Sequence, residues 1–169
     1  RRGQGHGDVL ARFIILSVLF AALIHPAKAQ EGALVTFKSL NLETALELAQ
    51  AALADCRKRG FQVAFAVVDR SGILQVTLRD RFAGPHTPET ARRKAWTAVS
   101  FRTDTQAMAT LTQPGELTFG TRQIPGTLML GGGVPIEAGG SIVGGVGVSG
   151  APGGDSDDAC ARAGITSAD

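Results

Sequence analysis

Apolar positions change their period several times along this chain, and each change marks an element. Leu42, Leu46, Ala49, Leu53 and Cys56 recur at three- and four-residue steps, which predicts an amphipathic helix. Asn41 stands where a cap is needed and Gly60 where the helix should stop, while Lys58 and Arg59 suit the negative end of its dipole. The pattern then tightens. Phe61 to Val68 is rich in β-branched and aromatic residues, Asp69-Arg70-Ser71-Gly72 reads as a turn, and Ile73 to Leu78 returns as the second arm of a hairpin. A second helix follows, with Thr87 placed to cap it and Pro88 at its first position. Ala91, Ala95, Ala98 and Val99 lie on one face of it, and Arg92, Arg93 and Lys94 are expected around the other side. A shorter helix is predicted from about Thr103 to Leu111, ending before Pro114-Gly115.

Beyond Thr127 the apolar runs shorten and glycine separates them. Leu128-Met129-Leu130, Val134-Pro135-Ile136 and Ser141 to Val148 read as short strands between Gly131-Gly132-Gly133 and Gly139-Gly140. Asp155-Ser156-Asp157-Asp158 opens a last helix with acids at the end its dipole favours. Turns this short imply antiparallel pairing, because parallel strands need long crossovers. The expected class is therefore α/β of the α+β kind: one antiparallel sheet of about five strands, with the first and last helices packed on it. Gly145-Val146-Gly147-Val148-Ser149-Gly150 matches a dinucleotide-binding G-x-G-x-x-G by letter only. The glycines fall inside a strand, and the following helix begins with aspartates that would repel a pyrophosphate. Close approach of backbones or subunits is the better account of them.

Charge and composition change the picture at the front of the chain. Arg1, Arg2 and Arg12, an uncharged apolar run from Phe13 to Ile24, and Ala27-Lys28-Ala29 make residues 1–29 an expected export signal, cleaved before Gln30. The run is too short to span a bilayer, which needs about 20 residues. Residues 30–169 are then expected to form a single domain. Of the 17 basic and 15 acidic residues, four and one precede Gln30, so the remainder carries 13 and 14, net −1. Neither nucleic acid nor an anionic membrane is indicated as a partner. Cys56 and Cys160 match no zinc spacing. They either pair or each fill a small apolar place.

Export leaves His86 as the one histidine of the mature chain, because His6 and His25 lie in the leader. It sits in Gly84-Pro85-His86-Thr87-Pro88-Glu89, a preset loop before a helix, with cationic side chains on both sides. His86 with Glu89 supplies too few ligands for a metal ion within one subunit. No G-x-S-x-G elbow accompanies Ser71, Ser100 or Ser149, so hydrolysis has no nucleophile by pattern.

Four segments together resemble the GlcG/HbpS-type haem-binding family, which also occurs as the C-terminal domain of PduO-type proteins. They are Val67-Val68-Asp69-Arg70-Ser71-Gly72, the Ala91 to Ala98 helix, Gly131 to Ile136, and Gly144 to Gly154, the last being the most distinctive. The resemblance covers about Leu40 to Ile165. It implies a profilin-like fold, haem as cofactor, and a large homo-oligomer, often an octamer, in members both secreted and cytoplasmic. Haem iron accepts His, Cys, Met or Tyr. The chain has no Tyr, Met108 and Met129 look like core residues, and Cys56 lies on an apolar helix face. His86 is then the candidate iron ligand, with Arg79, Arg81 and Arg92 as candidate propionate partners. The expected protein is periplasmic or secreted and captures, stores or senses haem, any peroxidase-like activity being a property of the bound cofactor. Two other readings stay open: an enzyme or accessory protein acting on a small organic acid or aldehyde, and a structural oligomer without ligand.

Overall fold

The computed structural model describes residues 31–167, so the expected export signal at 1–29 lies outside the described residues. Residues 31–37 hold one 3-10 turn, Glu31–Ala33, and form a unit separate from the rest. From Lys38 onward the chain makes a four-stranded antiparallel sheet with helices on both faces. The order along the chain is α1 (Leu42–Lys58), β1 (Ala64–Asp69), β2 (Leu74–Arg79), α2 (Thr87–Phe101), α3 (Thr105–Leu111), β3 (Gly133–Ala138), β4 (Ser141–Ser149) and α4 (Gly154–Thr166). The strands lie in the order β2-β1-β4-β3, two hairpins joined through the central β1–β4 pair. Among the described residues the sheet has one strand fewer than expected, because Leu128 to Leu130 is not a strand.

Side-chain size sorts the two faces of the sheet. Phe65 and Val67 of β1 and Val146 and Val148 of β4 point to one side and build the main core with α1 and α4. The alternate positions are small: Ala64 and Ala66 of β1, and Gly145 and Gly147 of β4, with Ala66, Gly147 and Gly133 of β3 in register across three strands. On that small-residue face lies α2, backbone nearly against backbone. A Cβ added at Gly147 would lie 2.8 Å from Ala95 N and clash outright with the Ala91 carbonyl oxygen; one at Gly145 would lie 2.6 Å from Val99 Cγ2. The pseudo-fingerprint glycines therefore serve close helix–strand packing. Gly147→Ala is expected to lose about 1–3 kcal/mol, the cost of overpacking against an unyielding backbone. Gly120→Ala, whose methyl would meet nothing within 4 Å, is the control. Paired urea midpoints check this; equal midpoints would mean α2 can retreat from the sheet.

The capping of α1 is as predicted: Asn41 Oδ1 accepts from Thr44 N at 2.8 Å. Its buried stripe is rotated from the expected one. Ala45, Leu48, Ala49, Ala52, Leu53 and Cys56 face inward, while Leu42 and Leu46 are exposed. The cause is α4, which approaches so closely that a Cβ on Gly164 would sit 2.8 Å from Ala52 Cβ. Alanines, not leucines, fit that contact. Cys56 of α1 and Cys160 of α4 are fully buried there and form a disulfide, Cα–Cα 5.5 Å, closing a loop of 104 residues.

Candidate functional site

The loop from β2 to α2 is braced from below. Asp80, 3% exposed, accepts from Arg57 Nε at 2.8 Å and from Val63 N at 3.2 Å, tying the end of α1 to the end of β2. Arg79 Nη1 donates to the Ala83 carbonyl at 2.5 Å. Thr87 does not cap α2. It is the first helical residue, and its hydroxyl donates to Gly84 O at 2.7 Å. The residue at the cap position is His86, whose carbonyl accepts from Thr90 N at 3.0 Å. Its side chain is thereby excused from backbone duty. The imidazole folds over Gly84, where an added Cβ would lie 2.7 Å from Cε1 and 2.9 Å from Nδ1. Among the described residues nothing hydrogen-bonds the ring.

His86 forms one side of a cleft of about 530 Å³, within the span common for small-ligand pockets. Thr90 and Arg93, one and two turns along α2, continue the same wall. Leu128 and Leu130 face them and give the cleft its apolar surface. That segment is held by α2 rather than by a neighbouring strand, which is why it is not one. Arg93 donates to Thr127 O at 2.6 Å, and Leu128 N donates to the Thr97 hydroxyl at 2.9 Å. Gly150 to Gly154, entering α4, close the far side.

Beneath that far side is an ion pair that the charge pattern did not suggest. Lys94, expected on the outer face of α2, is fully buried. Its Nζ donates to Asp157 Oδ2 at 2.7 Å and to Val148 O at 2.9 Å, while Asp157 Oδ1 accepts from Ala151 N at 3.0 Å. Burial pushes the Lys94 ammonium below its ordinary range and the Asp157 carboxyl above its own, desolvation outweighing their mutual attraction in each. Gly132 lets the chain pass over the pair; a Cβ there would lie 2.6 Å from Asp157 Cβ and 3.2 Å from Lys94 Nζ. Asp157 thus fixes one wall of the cleft through the Ala151 amide, and Lys94 fixes Asp157.

The arginines named from sequence, Arg79, Arg81 and Arg92, are not among the residues that line this cleft. Arg92 is engaged with Glu89 by two 2.7 Å bonds along α2, which raises the Arg92 guanidinium and lowers the Glu89 carboxyl from their ordinary values. Arg79 braces the loop and Arg81 is exposed in its turn. The cation on the cleft wall is Arg93. Its signal was available, since His86, Thr90, Arg93 and Thr97 follow helical spacing.

An antiparallel sheet of small and branched residues, flanked by helices, with an unbonded imidazole and an arginine in a partly apolar cleft, defines a small α+β ligand-binding domain. The chain belongs to the HbpS-like family, whose model, described as haem degrading protein HbpS-like, matches residues 40–166. The crystal structure of a double mutant of Streptomyces reticuli HbpS is 43% identical, with TM-score 0.79 over 85% of this chain and 96% of that one. The crystal structure of a PduOC–heme complex is 28% identical, with TM-score 0.70 over 76% of this chain and 94% of that one. Among curated proteins, the corrinoid adenosyltransferase PduO of Citrobacter freundii is 31% identical over 78% of this chain. The chain spans about two fifths of the length of the PduO proteins it matches, 38% and 40%.

Proposed function

We propose that this chain is an exported, oligomeric haem-binding protein in which His86 supplies the axial iron ligand. The observation that carries the reading is the cleft itself: an imidazole with no hydrogen-bond partner among the described residues, opposite Leu128 and Leu130 and beside Arg93. Haem asks for that donor set: a nitrogen for its iron, apolar contact for its macrocycle and cations for its propionates. Arg93 is the cation on the cleft wall, and Arg79, Arg81 and Arg92 lie in the adjoining strand end, loop and helix. When bound, haem would bring redox chemistry at iron; the protein's own part is to ligate, orient and shield. The family description and the PduOC–heme complex support the same cofactor. The Cys56–Cys160 disulfide supports an oxidising compartment. Assembly, to an octamer by resemblance, is supported by large apolar side chains left outside, Leu117 fully exposed and Phe82 79% exposed.

Haem titration of the exported protein is expected to give a Soret band with an imidazole-ligated signature, and His86→Ala to lose that signature while keeping the fold. Haem retention alone is a weak readout, because the leucines and arginines would still hold the macrocycle. Identical axial-ligand spectra for both proteins, by absorbance or electron paramagnetic resonance, would remove His86 from the iron. The same sample should begin at Gln30 and scatter light as a homo-oligomer.

A further inference from the structure

The apolar wall of the His86 cleft has no strand to lean on. Leu128 and Leu130 line the cleft, and Met129 between them is buried. The backbone bonds inside this segment are local: Thr127 N donates to Ile124 O at 3.2 Å, and Leu130 N to Leu128 O at 3.0 Å. Glycines at positive φ bracket it, Gly126 at 91° and Gly132 at 111°, and separate it from the ladder that begins at Gly133. Its attachment to the rest of the domain therefore has to come from side chains.

Two fully buried threonines stand in for the missing neighbour strand. Thr97 of α2 donates to Arg93 O at 2.8 Å, and its oxygen accepts from Leu128 N at 2.9 Å. A helical threonine often returns its hydroxyl to the carbonyl four residues back and does nothing more. Here that bond leaves the oxygen lone pairs for the wall. Thr105, the first residue of α3, donates to Leu130 O at 2.7 Å and accepts from Gly133 N at 2.8 Å. One hydroxyl clamps the amide at the front of the wall, and the other clamps the carbonyl at its back. Arg93 also holds Thr127 O at 2.6 Å, but a ligand acid group would compete for that guanidinium. The two buried hydroxyls have no such rival.

Neither threonine lines the cleft, so neither touches a ligand. What they fix is a separation. His86, Thr90 and Arg93 form one side, Leu128 and Leu130 face them, and the Thr97 bond ties the helix directly to Leu128. That separation matters for a flat apolar ligand, because a gap of about 0.5–1 Å already forfeits a quarter to a half of the dispersion attraction across it.

We infer that Thr97 and Thr105 are the positioning residues of this cleft: their hydroxyls set the distance between α2 and the Leu128–Leu130 wall, and hence how firmly a planar macrocycle is held. The inference rests on the proposed haem reading for the identity of that macrocycle.

The test compares the full chain with Thr97→Val, which keeps the β-branched shape and removes only the hydroxyl. Leu128 N then loses its partner, and a buried amide without one has to shift toward water. In haem-free protein the Leu128 amide should exchange its hydrogen about three- to tenfold faster than in wild type, and bound haem should dissociate faster by a similar factor, the effect of one lost hydrogen bond. The axial-ligand spectrum of the bound haem should stay that of wild type. Iron-free protoporphyrin IX, which offers no metal to ligate, should show the same acceleration and so reads the wall apart from the iron ligand. Thr97→Ser restores the hydroxyl and should bring both rates back toward wild type. Thr105→Val frees the other end of the wall and is the second variant, with the same acceleration expected. Thr112→Val is the control: it removes an equally buried hydroxyl, bonded to Met108 O at 2.6 Å and outside the cleft lining, and should lower Tm without changing dissociation. Wild-type dissociation rates in both Thr97→Val and Thr105→Val, no recovery in Thr97→Ser, or equal acceleration in Thr112→Val would each overturn the assignment while leaving the haem reading in place. Wild type that takes up neither haem nor protoporphyrin IX would overturn the haem reading, and the inference with it.

Discussion

Lys94→Met is expected to destabilise the domain by about 3–5 kcal/mol, the usual effect of leaving one member of a buried ion pair alone. Asp157, 5% exposed as a side chain, would keep only the Ala151 amide as partner, and the Val148 carbonyl would lose its donor. Asp157→Leu should cost as much, by stranding the lysine. The double replacement Lys94→Met with Asp157→Leu should recover most of the loss, because neither charge then needs desolvating. Urea melts of the four proteins make the cycle. A single-variant loss below about 1 kcal/mol would place the pair in the class of solvent-screened surface bridges.

The pH dependence follows from the two directions. Burial raises the Asp157 carboxyl, so the folded state holds that proton where the unfolded chain has released it. Stability tied to Asp157 is full below the unfolded carboxylate range and falls as pH rises through the folded one. Lys94 is lowered, so the unfolded chain holds a proton that the folded state gives up. Stability tied to Lys94 therefore climbs as pH passes its folded value toward the ordinary lysine range. The stability of wild type minus that of the double variant should show a trough between the two ranges, where both groups are charged and both are desolvated. Because Asp157 holds Ala151 at the cleft wall, the single variants should also weaken haem uptake.

Removing the Cys56–Cys160 bond by the double replacement Cys56→Ala, Cys160→Ala should cost up to about 5 kcal/mol, the chain-entropy effect of opening a loop of about 100 residues. The bond joins the first helix to the last, so nearly the whole domain lies inside the loop it closes. Loss of two buried sulfurs from the α1–α4 contact adds a smaller packing term. Denaturant melts of the variant against oxidised wild type read the difference. Equal midpoints would mean that α1 and α4 are held by packing alone, and would withdraw the disulfide's support for an oxidising compartment.

Much of the architecture was legible in the sequence because its signals are local. The Asn41 cap, the Asp69-to-Gly72 turn, the Gly139-Gly140 turn and the acid-led last helix each need only a few adjacent residues, and each forms as expected. The misreadings share a cause. Leu128 to Leu130 has strand composition, but no strand edge is offered to it; Arg93 and Thr97 take its backbone instead. Leu42 and Leu46 fit a helical stripe by period, yet α4 selects the neighbouring stripe, where Ala45, Ala49 and Ala52 allow its approach.

The candidate site divides the same way. His86 was identifiable as the one histidine outside the expected leader, just before a helix, and it lines the cleft. Arg93 was in view as part of a basic run, but which of the three cations reaches the cleft wall depends on where Thr127 lies, 34 residues on. Lys94 and Asp157 carried a signal that charge obscured. Lys94 shares the helical stripe of Ala91, Ala95 and Ala98, and Asp157 that of Cys160, Ala161 and Gly164. Each alone reads as a misplaced charge, and only their meeting 63 residues apart makes both positions affordable. Sequence by itself determined most of the elements, their turns, the family and the histidine placed before the second helix, since these are set by neighbours along the chain. Tertiary structure decided which faces are buried, that the two cysteines pair and which cation reaches the cleft, since these depend on contacts between segments that the chain brings together only on folding.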